Sequence, residues 1–324
     1  MNKLLKKFLI YIPKFLNNEE INILNAEIHK YFLGKESYYL NDKHLKYWEK
    51  RANFWELNTP PVRPSTGDLS IYSDFLGRTS KKGNILILGS TPELRDLVVE
   101  ETDAKIYVAD FSYSMLTGML KFTKKVDPKK EVWVKEKWLE LPFPSKFFDV
   151  ILGDVVLHQV TPELELVFLE KMKCFLKDDG VFITRAFFLN KSFLESNLRD
   201  IAKTILSGPL TYQQKYSLLK LQTVWLFSDL VNRKFNRRLS AEKFGELIKE
   251  FPDKILKKVH NVLLTDKDSY RSWSPPREED LINMVSKPFC IKDKNVANDY
   301  QYAEYFPILI LAPKQPINSV DKSC

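Results

Sequence analysis

The sequence is poor in the residues that mark disulfide-stabilised, metal-binding or membrane-spanning proteins. Only three cysteines, Cys174, Cys290 and Cys324, occur in 324 residues. They show no metal or redox spacing and their odd number argues against a disulfide framework, so we expect a reduced, cytoplasmic compartment and no metal site. The basic N-terminus has an uninterrupted apolar run only over residues 8–12, before Pro13. This run is too short for a membrane span or a signal peptide and favours a surface helix.

Arginine-rich tracts interleaved with aromatic residues are also absent, although the chain carries a formal net charge of +8. Its lysines are scattered, with local clusters at 124–130 and 233–238. The sequence therefore has no feature dedicated to nucleic-acid binding, and a solvated lysine-rich surface explains the charge. With 324 residues, 44% hydrophobic and 28% charged, the chain has the composition of a globular protein with one large α/β domain or two smaller ones.

The most informative stretch runs from residue 84 to Asp110 and predicts a strand, a tight turn, a helix and a second strand. Residues 84–88, NILIL, are almost wholly apolar, as in a strand buried on both faces of a parallel sheet. Gly89 and Ser90 then turn the chain, where a glycine lets a ligand approach the backbone. Asp110 follows the second strand, 21 residues beyond Gly89. This is close to the spacing at which an acid holds the ribose hydroxyls of a nucleotide.

The helix between these two strands has a favourable start. Thr91 suits the N-cap, Pro92 the first helical position, and Glu93 the positive end of the helix dipole. Arg95 is expected to point along the helix to solvent. The same four residues, Thr-Pro-Glu-Leu, recur at 161–164, so the tetrapeptide by itself predicts only a helix start. The nucleotide-site prediction therefore depends on the setting of the first copy, between an apolar strand with its glycine and the acid that follows.

Strands and helices alternate from 84 to 186, which predicts a doubly wound, mostly parallel sheet of the α/β class. Two late strand patterns, with no helix between them, predict an antiparallel hairpin at the edge of that sheet. Helical periodicity dominates residues 190–285. Beyond the central stretch, strands are predicted at 131–135, 148–153, 181–185, 289–292 and 306–312, and helices at 114–124, from 161, at 211–235 and at 240–251 with Ser240 as cap.

Four sequence motifs carry a resemblance to a known family. They are ILILGSTPE, VADFS, KWLELPFPSKFFDVILGDVVLHQV and DDGVFITR, all within residues 84–190. Together with the final hairpin they resemble the class I, Rossmann-like S-adenosylmethionine-dependent methyltransferases, and the segment LPFPSKFFDVIL is the most telling. The resemblance implies a seven-stranded, mostly parallel sheet with an antiparallel C-terminal edge hairpin. It also implies S-adenosyl-L-methionine as the cofactor and S-adenosyl-L-homocysteine as its product.

The resemblance also implies which residues surround the cofactor. In that family the turn after the first strand cradles the methionine part, the acid ending the second strand holds the ribose, and the loop after the third strand flanks the adenine. The residues implied here are Gly89, Ser90, Thr91, Glu93, Asp110, Phe111, Met115, Trp138 and Asp154. The family's usual Gly-x-Gly-x-Gly keeps only Gly89, and Ile87 and Lys137 stand where acids are often found. Trp138 is expected to border the adenine or merely to cover the edge of the sheet.

The end of the fourth strand lies by the methyl group in that family, and Asp154 and His158 are the candidate catalytic residues there. We expect methyl transfer to an N or O nucleophile, which needs in-line approach and exclusion of water. His158 could take a proton from the acceptor, or it could simply cap the loop after the strand. The acceptor is expected to be a small molecule or a peptide, and the sequence defines neither its identity nor the oligomeric state.

An aromatic segment that contains arginine precedes the first strand. Tyr47, Trp48 and Tyr72 are candidate acceptor-binding residues, in a lid over 40–75 that orders when the cofactor binds. Arg63, in a stiff proline-rich stretch, is the candidate ligand for the cofactor's carboxylate, because a guanidinium can grip a carboxylate with two parallel hydrogen bonds. Aromatic residues at such spacings are also common in cores, and Arg63 could equally be a surface arginine.

The expected organisation is an N-terminal helical and lid segment at 1–80, a Rossmann-like core at 81–190 and 286–315, and a helical insertion at 191–285 that caps the acceptor. A second hypothesis keeps the fold but not the chemistry, as a non-catalytic protein that binds a nucleoside cofactor or a partner. An NAD-dependent oxidoreductase would favour a full Gly-x-Gly-x-x-Gly, which the sequence lacks.

Overall fold

A seven-stranded sheet runs through the part of the chain that the computed structural model describes, which comprises residues 55–78, 82–266 and 273–315. The strands are β1 (Asn84–Leu88), β2 (Lys105–Asp110), β3 (Glu131–Lys135), β4 (Phe148–Asp154), β5 (Leu176–Arg185), β6 (Ser228–Asp229), β7 (Lys234–Phe235), β8 (Phe289–Asn295) and β9 (Ile308–Pro313). All but β6 and β7, which pair with each other, form the sheet in the order β3-β2-β1-β4-β5-β9-β8. The first five strands in that order are parallel, and β9 is antiparallel to both neighbours. The predicted fold class is confirmed.

Helices cover both faces of this sheet. They are α1 (Thr66–Arg78), α2 (Pro92–Glu101), α3 (Tyr113–Gly118), α4 (Glu165–Phe175), α5 (Leu198–Ser207), α6 (Tyr212–Leu226), α7 (Arg237–Glu250), α8 (Lys254–Asp266) and α9 (Glu278–Val285). Short 3₁₀ turns lie at Trp55–Leu57, Met119–Phe122, Pro128–Lys130, Trp138–Glu140, Val156–Gln159, Pro162–Leu164, Lys191–Phe193 and Ala303–Tyr305. The helix predicted over 114–124 is thus divided into α3 and a 3₁₀ turn. Within the described ranges, no helix combines the length and apolarity needed to cross a bilayer.

The central strands are buried because they are nearly continuous apolar runs with a helical layer on each side. In β1 the side chains alternate between these layers. Ile85 and Ile87 pack in the core that contains residues of α1 and α2, whereas Leu86 and Leu88 pack in the core that contains residues of α4 and α9. The two cores include residues near the carboxyl ends of the strands, such as Leu88 of β1 and Leu152 of β4, and their packing holds these ends in place.

Helices α5 to α8 pack around a separate apolar cluster that includes Leu219, Phe244 and Leu256. Trp225, near the end of α6, joins this cluster to the sheet. Its ring is fully buried, and its Nε1–H donates to the carbonyl of Phe188 at 2.9 Å, just beyond β5. The four helices are thus anchored beside the end of the fifth strand.

Two helix boundaries in this region differ from the predicted ones. The side chain of Asn236 accepts a hydrogen bond from the backbone N–H of Leu239 at 3.0 Å, so α7 begins before Ser240. The helix predicted over 211–235 ends at Leu226. The Asp229 carboxylate accepts hydrogen bonds from the backbone of the residues two and three positions later, at 2.8 and 3.0 Å. This local turn connects β6 to β7, so a hairpin replaces the end of the predicted helix.

Arg95 is fully buried, so the prediction that it points to solvent is wrong. Its Nε and Nη2 donate to the two carboxylate oxygens of Glu131 on β3, at 2.9 and 2.5 Å, and its Nη1 donates to the carbonyl of Leu116 at 3.0 Å. Trp133 Nε1 donates to the same carboxylate at 2.6 Å. The arginine therefore joins α2 to β3 and α3, and each of its hydrogen bonds compensates part of the cost of burying its charge.

Arg185, the last residue of β5, is buried between two aspartates. Its Nε donates to Asp154 at 2.7 Å and its Nη1 to Asp68 on α1 at 2.8 Å. Its backbone N–H donates to the hydroxyl of Tyr72 at 2.7 Å, and that hydroxyl donates to the carbonyl of Gly153 at 2.7 Å. Although burial opposes its charge, the two aspartates raise the pKa of Arg185. This network fixes α1 to the carboxyl ends of β4 and β5.

Replacing Arg185 by methionine should lower the free energy of unfolding by about 3–5 kcal/mol, because Asp68 and Asp154 would be left as unpaired buried carboxyl groups. Urea unfolding followed by circular dichroism measures this loss. The matched control is Arg199→Met, which removes an arginine that pairs with Glu250 where both side chains are about half exposed. That control should leave the stability nearly unchanged, since exposed ion pairs contribute little. Equal, small effects of the two substitutions would contradict the role of the Arg185 network.

Candidate active site

A cavity of about 780 Å³ lies at the carboxyl ends of β1, β2 and β4 and extends between helices α6 and α8. Its volume is typical of ligand-binding sites. From the sheet side it is lined by Gly89, Ser90, Thr91, Asp110, Phe111, Met115, Trp138, Asp154 and His158, all of which were predicted from the sequence. From the helical side it is lined by Leu221, Val224, Phe235, Val259, Val262 and Leu263. The segment before α1 adds Trp55, Asn58, Pro61 and Val62.

The turn after β1 presents backbone rather than side chain to the cavity. Gly89 has φ of +80°, a left-handed conformation that glycine adopts without strain, and its N–H donates to the carbonyl of Ala109 at 2.8 Å. A Cβ on Gly89 would stand 3.8 Å from the ring of Trp138, on the lining of the cavity. Thr91 lies at the N-cap of α2, and its side chain makes no capping hydrogen bond. The turn and the helix N-terminus therefore suit a polar or anionic group of a ligand.

Asp110 ends β2 with its carboxylate in the wall of the cavity. The side chain is almost fully buried, and it accepts hydrogen bonds from the Ser90 hydroxyl at 3.0 Å and from the Ser112 backbone N–H at 2.9 Å. Burial raises the pKa of Asp110 to about 7, although these hydrogen bonds act in the opposite direction. Further donors would stabilise the carboxylate, and two ribose hydroxyls are suitable donors. The turn and this acid thus fit the cofactor that the sequence implies.

Trp138 was expected either to border the adenine or to cover the edge of the sheet, and its position is compatible with both. Its Nε1–H donates to the carbonyl of Ala109 at 3.0 Å, so the indole covers the end of β2. Its ring centroid is 5.7 Å from that of Phe168, and the same side chain lines the cavity. Stacking against an adenine therefore stays a prediction. Met115 also lines the cavity and forms, with Met119, a small apolar cluster against which Trp55 packs.

The residues after β4 bring a carboxylate and an imidazole to the cavity. Asp154 is tied to Arg185, and burial raises the pKa of its carboxyl group while the arginine lowers it. His158 lies in the 3₁₀ turn at Val156–Gln159, with its ring edge-on to Phe187 at 5.0 Å between centroids. Because protonating Asp154 would disrupt a buried ion pair, the geometry favours His158 as the group that exchanges protons with a ligand.

Arg63 and Glu93 do not line the cavity but form an ion pair with each other beside α2. The Arg63 guanidinium also lies 5.9 Å from the ring centroid of Trp55, which does line the cavity. A role for Arg63 in binding the cofactor's carboxylate would require it to leave Glu93, and it stays a prediction. Tyr47 and Trp48 lie outside the described residues.

Tyr72 requires a correction. It was expected to bind the acceptor, but it is completely buried in α1, where its hydroxyl joins the Arg185 network. The structure therefore places Tyr72 in the core and away from the cavity lining. The alternative noted for these aromatic residues, a place in the core, holds for Tyr72, and the partners of its hydroxyl lie on β4 and β5, far from it in the sequence.

The helical side of the cavity was anticipated as a cap, but none of its lining residues was identified from the sequence. Leu221 and Val224 are separated by one turn of α6, and Val259, Val262 and Leu263 lie at helical spacing on α8. Such spacing signals a buried helix face, and it does not distinguish a face that packs on the core from one that borders a cavity.

A family model described as a methyltransferase domain matches residues 89–184, from the turn after β1 to β5. The matched segment contains Gly89 of the turn after β1, together with Asp110 and Asp154, and all three residues line the cavity. Residues 89–184 are thus a methyltransferase domain, and the sheet that contains them has the strand order and edge hairpin expected of the class I, Rossmann-like methyltransferases. The cofactor of these methyltransferases is S-adenosylmethionine. A comparison of the sequence with curated proteins finds no match.

Solved structures resemble this chain at low sequence identity. A structure from Rhodobacter sphaeroides named for Zn-dependent alcohol dehydrogenases has a TM-score of 0.55 and 16% identity, over 85% of this chain and 100% of that chain. Magnesium protoporphyrin IX methyltransferase from Synechocystis, with bound S-adenosylhomocysteine, has a TM-score of 0.46 and 13% identity, over 90% and 99%. The first of these two likenesses shows the fold alone. The described residues hold no group of three or more His, Cys, Asp or Glu side chains that could bind a metal ion.

Below pH 7, S-adenosylhomocysteine should bind to the methyltransferase more weakly. Burial sets the pKa of Asp110 at about 7, whereas ribose hydroxyls donate to the carboxylate and favour its ionised form. Binding then requires loss of a proton, so affinity should fall by up to about tenfold per pH unit below 7. Calorimetric titrations across this range test the effect. In the control Asp110→Asn the affinity should be lower by about 1–3 kcal/mol and independent of pH. A wild-type affinity that does not vary with pH would contradict this assignment.

Gly89→Val should abolish binding of S-adenosylhomocysteine, because valine is strained at φ of +80° and its side chain would enter the cavity. Ser90→Ala should weaken binding only mildly. Loss of the hydroxyl that donates to Asp110 should also move the pH midpoint upward. Calorimetry on both variants, with circular dichroism to verify folding, makes the comparison. Similar, mild losses in the two variants would show that the ligand binds elsewhere.

Proposed function

We propose that this methyltransferase transfers a methyl group from S-adenosylmethionine to an N or O nucleophile of a small molecule or a peptide. The observation that carries the proposal is a single cavity that joins the Gly89 turn and Asp110 to an apolar compartment between α6 and α8. One end suits a nucleoside cofactor and the other suits an acceptor. The 191–285 region would then be the acceptor cap, and 81–190 with 286–315 the cofactor-binding core.

The chain's own residues provide a consistent set of contacts for the cofactor. Gly89, Ser90 and the N-terminus of α2 would hold the methionine part, Asp110 the ribose, and Trp138 the adenine. When bound, the cofactor supplies an electrophilic sulfonium methyl group. The walls would orient the acceptor for in-line approach and exclude water, which provides much of the rate acceleration in such a reaction.

His158 would accept the proton of an acceptor that arrives protonated. It lines the cavity, and its backbone carbonyl accepts a hydrogen bond from Trp273 Nε1 at 2.8 Å, which fixes the 3₁₀ turn. Edge-on packing against Phe187 limits the rotation of the imidazole. Asp154, held by Arg185, would contribute a fixed negative charge near the reacting centre.

Calorimetry with S-adenosylmethionine, S-adenosylhomocysteine and NAD, followed by transfer of a labelled methyl group into cell extract, tests the proposal. We expect the first two ligands to bind, NAD not to bind, and mass spectrometry to identify a labelled product. Tight binding of S-adenosylhomocysteine with no labelled product in any extract would favour the non-catalytic alternative. Binding of NAD alone would overturn the proposed reaction.

His158→Ala should lower the rate of labelling by about a hundredfold or more while leaving the affinity for S-adenosylhomocysteine unchanged, because a proton acceptor contributes to the reaction and not to cofactor binding. Single-turnover labelling under saturating cofactor measures the rate. His260→Ala is the matched control, since His260 does not line the cavity. A rate in His158→Ala equal to that of the control would show that His158 is structural.

A further inference from the structure

The part of the cavity between α6 and α8, here called the acceptor compartment, has an aliphatic wall. Leu221 and Val224 reach it from α6, and Val259, Val262 and Leu263 reach it from α8. All five side chains are at least partly buried. Because none of these five side chains can form a hydrogen bond, the wall favours contact with apolar ligand surface.

Aromatic rings line the same cavity beside the ends of β4 and β5. Phe187, just beyond β5, stacks on Phe306 with 4.6 Å between ring centroids and 11° between ring planes. The imidazole of His158 packs edge-on against the same Phe187 ring at 5.0 Å, and all three side chains line the cavity. The imidazole that is proposed to accept the proton therefore borders an aromatic surface, against which a flat aromatic ligand can pack.

The two basic side chains beside these walls are already engaged by the protein. Lys220 donates to the side-chain oxygen of Asn58 at 2.9 Å, and its ammonium lies 4.9 Å from the ring centroid of Tyr216. The guanidinium of Arg237 lies 5.0 Å from the ring centroid of Phe235. Both basic side chains also have further interactions within the protein. We therefore assign neither of them to the acceptor.

Gln159, the last residue of the 3₁₀ turn that contains His158, offers a hydrogen-bond acceptor. Its Nε2 donates to the carbonyl of Val155 at 3.3 Å, and this contact identifies the amide nitrogen because a carbonyl can only accept. The Oε1 is buried and meets no hydrogen-bond donor among the residues that the structure describes. Such a group costs free energy until it gains a partner. Since Gln159 lines the cavity, an N–H or O–H of a bound ligand can be that partner.

We propose that the methyl acceptor is an apolar aromatic small molecule that donates one N–H or O–H hydrogen bond to the amide oxygen of Gln159. Its ring system packs against Phe187 and His158, and its remaining apolar surface lies between α6 and α8. This inference rests on the proposed function and narrows its acceptor class. A peptide fits less well, because several of its backbone amides would lose water without finding partners on the apolar walls.

Displacement of an uncharged fluorophore by two matched competitors tests the proposal. The fluorophore, N-phenyl-1-naphthylamine, is titrated into the protein saturated with S-adenosylhomocysteine, and we expect it to bind the wild type. The competitors, 2-naphthol and naphthalene, share one ring system and differ by one hydroxyl donor. In Gln159→Leu the affinity for 2-naphthol should fall by about tenfold, as for loss of one hydrogen bond to a buried group, whereas the affinity for naphthalene should not change.

Further variants locate the fluorophore. Val224→Glu places a charge in the aliphatic wall and should abolish binding of the fluorophore, with the circular dichroism spectrum and the affinity for S-adenosylhomocysteine unchanged. Val224→Ser replaces this variant if the charge prevents folding, and it should weaken binding severalfold. Val231→Glu, at a hairpin residue that is 90% exposed, is the matched control and should change neither affinity.

Three results would overturn the inference. They are no binding of the fluorophore to the wild type, binding that the Val224 variants leave unchanged, and equal effects of Gln159→Leu on the two competitors. Failure of S-adenosylhomocysteine to bind to the wild type would instead overturn the proposed function.

Discussion

The buried guanidinium of Arg185 is the interaction on which the geometry of the site depends. It holds Asp68 at the start of α1 and Asp154 at the end of β4, and Tyr300 closes the group by donating to Asp68 at 3.1 Å. Without the arginine, two carboxylates would lie together in the core with no compensating charge. The network therefore fixes three distant segments around the point where β4 enters the cavity, and it keeps the charge of Asp154 in place.

Parallel strand pairing then sets the distance between the Gly89 turn, Asp110 and the residues that follow β4. Leu88 at the end of β1 is paired with Gly153 of β4 on one side and with Ala109 of β2 on the other. The Gly89 turn, Asp110 and the residues after β4 are thus adjacent because the strands end together. Helices α6 and α8 close the remaining side with apolar residues. A nucleoside cofactor at the strand ends would therefore direct its reactive group toward the helical compartment.

Much of the core could be predicted from sequence, because its signals are local. The apolar runs, the turn after β1 and the spacing to Asp110 each lie within a few tens of residues. The buried ion pairs could not be predicted, because Arg95 and Glu131 are 36 residues apart and Arg185 and Asp68 are 117 residues apart. Only the folded chain shows that each arginine meets an acid in the interior. Periodicity alone likewise left open whether the faces of α6 and α8 border a core or a cavity.

A crystal structure of the protein with S-adenosylhomocysteine tests the central claim most directly. We expect the ribose hydroxyls within hydrogen-bond distance of the Asp110 carboxylate and the amino-acid part of the ligand against the Gly89 turn. The sulfur should lie on the side of Asp154, facing the compartment between α6 and α8. Ligand density elsewhere on the molecule, or a ribose that makes no contact with Asp110, would contradict this placement of the cofactor.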